Sequence, residues 1–474
     1  MNASGAPKGI VPFYKERGNC QPRAVTGLFR DLKWWAMAVT LGWWHLMPFL
    51  RWDRGPGAPN QAILIDMPGR RAYFFDIEIW PQEVYYITGI LLMSAIFLFL
   101  MSALAGRVWC GFLCWQTVYT DLFVQVERWF IGERTQRMAF RQAPLSAGKL
   151  ARLAAVNVVW AAIAAACGIG FTLWFGDAVT VLREIFTGEA GALYVFILVI
   201  GGFCFLLAGY ARERVCVYLC PYSRFQAAML DEHSLVVSYE PWRGEPRAPA
   251  PVDKNFAGRG HCIDCKMCVV SCPTGTDIRF GNQLSCIGCA LCIDACDAVM
   301  DKFGLPRGLI SYDSSHNLDA RAAQRPAIYR LLRPRIQVYI AILTVAAGVM
   351  VTALLLRSTT DVNILHERSP LYVQLSDGSI RNGYAYKILN RVREDRSFTV
   401  RVTGVEGAVM DVIGGAQGVS ETRFDVRRDD VGSFRLYVSA PAASLRGKSM
   451  PVVFELTEPS GNTVRTTSLF AGPE

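Results

Sequence analysis

The sequence predicts a multi-pass α-helical membrane protein of about five spans, with a soluble cysteine-rich insert and a C-terminal all-β sandwich. Three observations lead there. Hydrophobic residues make up 52% of the 474 residues against 19% charged, and mean hydropathy is +0.24, too apolar for a chain that only fills soluble cores. Eight of the 15 cysteines fall between Cys262 and Cys296, and none follows Cys296. Beyond about Leu371 the pattern changes to short alternating apolar runs separated by glycine-bearing turns.

Five stretches approach the roughly 20 residues that cross a bilayer as a helix: 34–50, 84–105, 154–175, 192–209 and 336–356. The first is short and carries His45 and Pro48, but Trp34, Trp35, Trp43, Trp44 and Trp52 suit interfacial belts at its ends. The 33 residues before it are basic (Lys8, Lys15, Arg17, Arg23, Arg30, Lys33) and show no A-x-A cleavage site, so this span reads as an uncleaved anchor.

Lysine and arginine in the loops set the expected orientation. The N-terminal segment is basic, and so is the loop after the second span, with Arg107, Arg128, Arg134, Arg137, Arg141, Lys149 and Arg152. The loop after the third span has only Arg183. The N-terminus and the cysteine-rich insert are therefore expected in the cytoplasm of a bacterial inner membrane, and the C-terminal domain in the periplasm. The same bias explains the net charge of +9 without nucleic acid as a partner. The expected domains are a cytoplasmic segment at 1–33, a membrane domain at 34–230, a cytoplasmic insert with linkers at 231–335, a fifth span at 336–357 and a periplasmic β-sandwich at 358–474. Pro241, Pro246, Pro249 and Pro251 mark the linker into the insert.

The insert contains Cys262-x2-Cys265-x2-Cys268-x3-Cys272-Pro273, then Cys286-x2-Cys289-x2-Cys292-x3-Cys296. This is the bacterial two-cluster ferredoxin pattern, in which the fourth cysteine of each run serves the other cluster. The expected ligands are Cys262, Cys265, Cys268 and Cys296 for one [4Fe–4S] cluster, and Cys286, Cys289, Cys292 and Cys272 for the other. Zinc sites use paired C-x2-C knuckles and no third cysteine at the next interval. Asp297 stands where proline often follows the second run.

Two further pairs lie at span ends: Cys110 and Cys114 after the second, Cys216 and Cys220 after the fourth. Each is C-x3-C, which on a continuous helix stacks both sulfurs on one face. If the two segments adjoin, four soft thiolates form one site that is copper-binding or redox-active. Cys20, Cys167 and Cys204 read as packing residues, and His45 with Met47 as aromatic-belt packing rather than a soft-metal contact. In the last hundred residues, the alternation at Phe398, Val400, Val402, at Phe434, Leu436, Val438 and at Val452, Phe454, Leu456 marks strands of a sandwich. That domain has no cysteine and no catalytic constellation, so it reads as a docking or packing module.

Several stretches together resemble the FixG/RdxA/CcoG-type accessory proteins of cbb3-type cytochrome oxidase. They are Gly106-Arg107-Val108-Trp109-Cys110-Gly111, Gln116-Thr117-Val118, the run from Cys216 to Gln226, Arg243-Gly244-Glu245-Pro246-Arg247, and the run from Cys286 to Met300. The resemblance covers nearly the whole chain. It implies an immunoglobulin-like C-terminal domain and a role in oxidase maturation, with reduction of Cu(II) to Cu(I) for the copper-bearing subunit. Cys114 departs from the family pattern, because Trp115 follows it where proline is usual.

The expected function is thus that of an oxidoreductase of the copper(II) reductase type. A cytoplasmic or quinol donor charges two clusters, and the four membrane-edge cysteines form the catalytic set. Oxidase subunits or copper-delivery proteins are the expected partners. Two alternatives are a metallochaperone or assembly scaffold with structural clusters, and a quinol-linked polyferredoxin relay to another reductase.

Overall fold

The computed structural model describes residues 20–473 apart from 56–57, 252–255, 393 and 446. Lys8, Lys15 and Arg17 of the basic N-terminal segment lie outside the described residues. The chain divides into two compact units, 1–350 and 351–474.

Among the described residues, four helical segments are long and apolar enough to cross a membrane. They contain α2 (Val84–Ala105), α5 (Ala147–Thr172), α6 (Leu193–Cys204, continued by a π-helical turn to Ala211) and α9 (Pro334–Leu355). These correspond to the second through fifth expected spans. The first expected span is also helical, as α1 (Leu28–Leu46), but it begins earlier and takes in Arg30, Asp31 and Lys33. It is therefore not an uninterrupted apolar run. Arg30 donates to both carboxylate oxygens of Asp121 at 3.0 and 2.7 Å, and Lys33 lies 3.6 Å from the same group. Both cations are buried, as paired charges can be and lone ones rarely are.

Between α1 and α2 three short antiparallel strands, β1 (Ile63–Asp66), β2 (Arg71–Phe74) and β3 (Ile77–Ile79), make a small sheet in sequence order. A single-turn α3 (Val108–Phe112) and the amphipathic α4 (Trp115–Phe130) follow α2, and α7 (Tyr222–Met229) follows the π-helical turn.

The cysteine-rich insert is framed by β4 (Val236–Tyr239) and β5 (Ile310–Asp313), which pair antiparallel with Val236 opposite Asp313. Helix α8 (Leu291–Phe303) packs behind them. Ile263, Ile278, Ile293, Val299, Met300 and Leu309 form one buried core with the cysteines.

The second unit is an antiparallel sandwich. One sheet has the order β10 (Val409–Val412), β12 (Asp430–Ala440), β8 (Ile380–Asn390), β6 (Thr360–His366), with β7 (Val373–Gln374) also on β8. The other runs β11 (Glu421–Val426), β9 (Arg396–Thr403), β13 (Ser449–Thr457), β14 (Thr463–Ala471). The alternating residues read from the sequence face inward: Phe398, Val400, Leu436, Val438, Val452, Phe454 and Leu456 are completely buried. Asn382 of β8 bridges the sheets, its amide donating to the Ala471 carbonyl at 2.8 Å and accepting from Ala471 N–H at 2.9 Å. Tyr384 adds a second bridge to the Leu469 carbonyl at 2.7 Å.

Candidate functional site

The fourth cysteine of the second run lies near the first three of the first run, and Cys272 lies near the second run. The electrostatic neighbours of Cys296 are Cys268, the adjacent Asp297, Cys265 and Cys262. Those of Cys292 are led by Cys289, Cys286 and Cys272. Cys296 reaches the first group because α8 carries it one helical turn past Cys292. Cys272 leaves the single turn Met267–Val270 and is held by Thr276, whose N–H donates to its sulfur at 3.3 Å.

Eight thiols in two groups of four, with few competing oxygen donors, form a donor set that suits iron–sulfur clusters. Burial pushes the thiols upward, Cys268 and Cys286 to about 12 and Cys289 to about 11. Neighbouring sulfurs add to that shift at Cys268 and Cys286. Thiolates in such a pocket need compensating iron charge. Asp297, in place of proline, accepts from Gly308 N–H at 2.9 Å, so the exit turn is held by a hydrogen bond instead.

The membrane-edge pairs do not stack on continuous helices. Cys110 lies within α3, but Cys114 is extended, with φ −62° and ψ 127°, at the start of α4. Cys216 lies in a π-helical turn, Val215–Leu219, and Cys220 is extended at φ −75° and ψ 111°. At Cys220 the following proline favours this conformation. Cys114 adopts it before Trp115 as well, so the missing proline leaves the geometry unchanged.

The two pairs form one group. Burial pushes Cys110 to about 11 and Cys216 to about 12; Cys114 and Cys220 add to both shifts, and Cys110 adds to that of Cys216. Cys110 also donates to Gln226 Oε1 at 3.3 Å. Cys110 and Cys216 pack with Ile287, Cys289 and Leu291 of the second ferredoxin run. Gly111 makes the approach possible, since a Cβ there would lie 2.8 Å from both Cys289 Cα and the Gly288 carbonyl oxygen. Arg107 ties the parts together. Its guanidinium donates to the Cys286 carbonyl at 3.0 Å and also to the Leu284 and Ser223 carbonyls.

Two anchors join the insert to the other helices. Asp294 on α8 accepts from Phe29 N–H at 3.2 Å and Arg30 N–H at 2.8 Å, capping the start of α1. Asp121, partly buried beside α1, has its carboxyl pushed up by burial but drawn below its ordinary range by Lys33 and Arg30.

Sequence reasoning missed Arg107, Gly111, Gln226 and Asp294. All four lie in stretches that carry the family resemblance, and a glycine directly after a candidate ligand was the available signal. Cys167 and Cys204 are buried within helix packing, and Cys20 is half-buried, its N–H donating to Glu213 at 2.7 Å. His45 sits between the Leu41 and Ala166 carbonyls, at 2.9 and 3.3 Å, within the helix contacts.

Comparisons with known proteins agree with this organisation. Residues 211–315 match a 4Fe–4S dicluster domain, 87–132 a 4Fe–4S binding domain, and 350–473 the Ig-like fold at the C-terminal of FixG. Protein RdxA of Cereibacter sphaeroides is 44% identical over 91% of this chain and 92% of its own length. Nitrogen fixation protein FixG of Rhizobium meliloti is 42% identical over 91% of this chain and 88% of its own. The crystal structure of a FixG-related protein from Vibrio parahaemolyticus aligns at 18% identity and a TM-score of 0.21, over 25% of this chain and 99% of its own.

Proposed function

This chain belongs to the family of FixG and RdxA, and from that premise we propose that it is a membrane-bound copper(II) reductase assisting assembly of cbb3-type oxidase. When bound, the two clusters supply reversible one-electron storage. The chain's own part is to hold them with Cys262, Cys265, Cys268 and Cys296, and with Cys286, Cys289, Cys292 and Cys272. It shields them within an apolar core and sets a second thiol group against the Cys289 loop. Cys110, Cys114, Cys216 and Cys220 are the exit site. There one Cu(II) ion takes one electron and leaves as Cu(I), the state that soft thiolates favour.

The observation that carries this reading is the packing of Gly111 on the Cys289 backbone. It supports the reading because Cys110 and Cys216 pack beside the Cys289 segment, and electron transfer between centres needs short separations. The positive-inside reading supports a bacterial inner-membrane protein with N-terminus and insert in the cytoplasm and the β-sandwich in the periplasm. There the sandwich is available to oxidase subunits or copper-delivery proteins.

The test is a Cu(II) reduction assay on anaerobically purified protein with the clusters chemically reduced. Changing both Cys216 and Cys220 to serine is expected to abolish copper reduction while the ferredoxin insert keeps its spectroscopic signals. Undiminished reduction in that variant overturns the proposal.

A further inference from the structure

The two membrane-edge pairs belong to two copies of one local unit, and the likeness extends beyond C-x3-C. Four residues before Cys110, Gly106 ends α2 at φ 59° and ψ −119°. Four residues before Cys216, Arg212 ends the π-helical turn at φ 46° and ψ −122°. In each copy the first cysteine then sits in a short helical turn, the second is extended, and a helix follows. Two residues past each second cysteine, a side chain donates to a backbone carbonyl in the other copy's membrane helix. Gln116 Nε2 reaches the Leu207 carbonyl at 2.8 Å, and the Tyr222 hydroxyl reaches the Leu98 carbonyl at 3.0 Å.

Reciprocal contacts of this kind are the mark of a two-fold relation. The sequence hides it because glycine in one copy is arginine in the other. An arginine at positive φ is unfavourable and persists only where its surroundings fix it. Here Glu127 does so, at 2.5 Å from Arg212 Nη2, together with the Gly209 carbonyl, which accepts from Arg212 Nε at 2.6 Å.

The pseudo-axis gathers four sulfurs, two from each copy. Among the described residues, no three His, Cys, Asp or Glu side chains converge closely enough to hold a single metal ion. The eight ferredoxin cysteines share that property, as ligands to the corners of a cubane would. A second observation is independent of the geometry. The 4Fe–4S binding domain match at 87–132 contains only Cys110 and Cys114, half the ligands that such a cluster takes.

We propose that Cys110, Cys114, Cys216 and Cys220 together hold a third [4Fe–4S] cluster, distinct from the two of the ferredoxin insert, with each copy of the repeat supplying two ligands. The four thiolates give an oxidised cubane a net charge of −2, and one electron makes it −3. Arg107 is a cation near both groups: it donates to the Cys286 carbonyl, and its electrostatic neighbours include Cys110, Cys216 and Cys220. The inference rests on the electron-transfer reading above. It makes the four cysteines the last resident relay, with Cu(II) as an external acceptor rather than a bound ion.

The test is iron and acid-labile sulfide analysis with electron paramagnetic resonance on the full chain, purified anaerobically in detergent. Three clusters give about twelve iron atoms per chain and two give about eight. Cys216→Ser with Cys220→Ser is expected to lose about a third of the iron while both ferredoxin signals persist. Should that double variant fail to accumulate, Cys110→Ala alone is expected to convert one centre to a three-iron signal in the oxidised protein. About eight irons in wild-type protein whose ferredoxin signals integrate fully, or copper in their place at the four cysteines, overturns the third cluster. Full iron with no copper reduction leaves the cluster standing and overturns the reductase reading instead.

Discussion

The Arg107 guanidinium donates a 3.0 Å hydrogen bond to the backbone carbonyl of Cys286, linking the residue three positions before Cys110 to the first cysteine of the second ferredoxin-type run. The same side chain reaches the Leu284 and Ser223 carbonyls. It therefore also holds the segment that follows Cys220. One cation thus fixes three chain segments that are far apart in sequence.

Replacing Arg107 by alanine leaves buried carbonyls without donors, a cost of about 1–3 kcal/mol. Lysine is expected to rescue poorly, because one ammonium does not reproduce the planar fork that serves several acceptors. Thermal unfolding of the detergent-solubilised protein, with cluster absorbance as the probe, should show both variants destabilised. A lysine variant as stable as wild type would show that charge, not geometry, is what Arg107 supplies.

Much of this was legible in the sequence, and the missing part has a physical cause. Ligand spacing along a chain is a local property, so the eight ferredoxin cysteines could be sorted into two groups before any fold was known. Alternation at Phe398, Val400 and Val402 is local too, and it marked strand β9. The meeting of Cys110 with Cys216 is not local, since it depends on α4 packing against the helix that precedes Cys216. The span α1 was read too far along the chain because Arg30 and Lys33 look like a solvated flank. They are instead buried against Asp121.

Gly111 should tolerate no side chain. Valine there would drive its branched carbons into Cys289 and Gly288 backbone, and overpacking of this kind costs about 1–3 kcal/mol. The relief available is for α3 to move away from the ferredoxin run. Copper(II) reduction by the pre-reduced Gly111→Val protein should therefore slow several-fold while the iron of the ferredoxin insert is retained. Unchanged kinetics would mean that electrons leave by another route.

Asp294 lies between two candidate cluster ligands, yet its carboxylate serves α1. Alanine at this position removes the acceptor for the Phe29 and Arg30 N–H groups, and loss of such a cap costs about 0.5–2 kcal/mol. Asparagine keeps one acceptor oxygen and should recover part of that. Amide hydrogen exchange at the first turn of α1 is the direct readout. It should rise in the alanine variant, rise less in the asparagine variant, and leave α9 unaffected.

Asn382 is the sandwich's substitute for a covalent bridge. The domain has no cysteine, and its two sheets are joined instead by the paired hydrogen bonds between the Asn382 amide and the Ala471 backbone. The His366 ring nitrogen lies 2.7 Å from the same amide oxygen, which fixes the amide's orientation. Leucine is close to asparagine in size but offers neither donor nor acceptor. Asn382→Leu therefore strands the Ala471 N–H and carbonyl inside the protein, at a cost of about 1–3 kcal/mol per unsatisfied group. Aspartate keeps the acceptor for the N–H but sets a carboxylate against the carbonyl oxygen, so it should be no better. All 12 tryptophans precede this domain, which makes tryptophan fluorescence blind to its unfolding. Hydrogen exchange of β8 and β14 amides, measured by mass spectrometry on the full chain, resolves it. Both variants should exchange faster there while the ferredoxin insert keeps its protection. Equal protection in the leucine variant would mean that apolar packing of Phe454 and its neighbours, not the amide bridge, holds the sheets together.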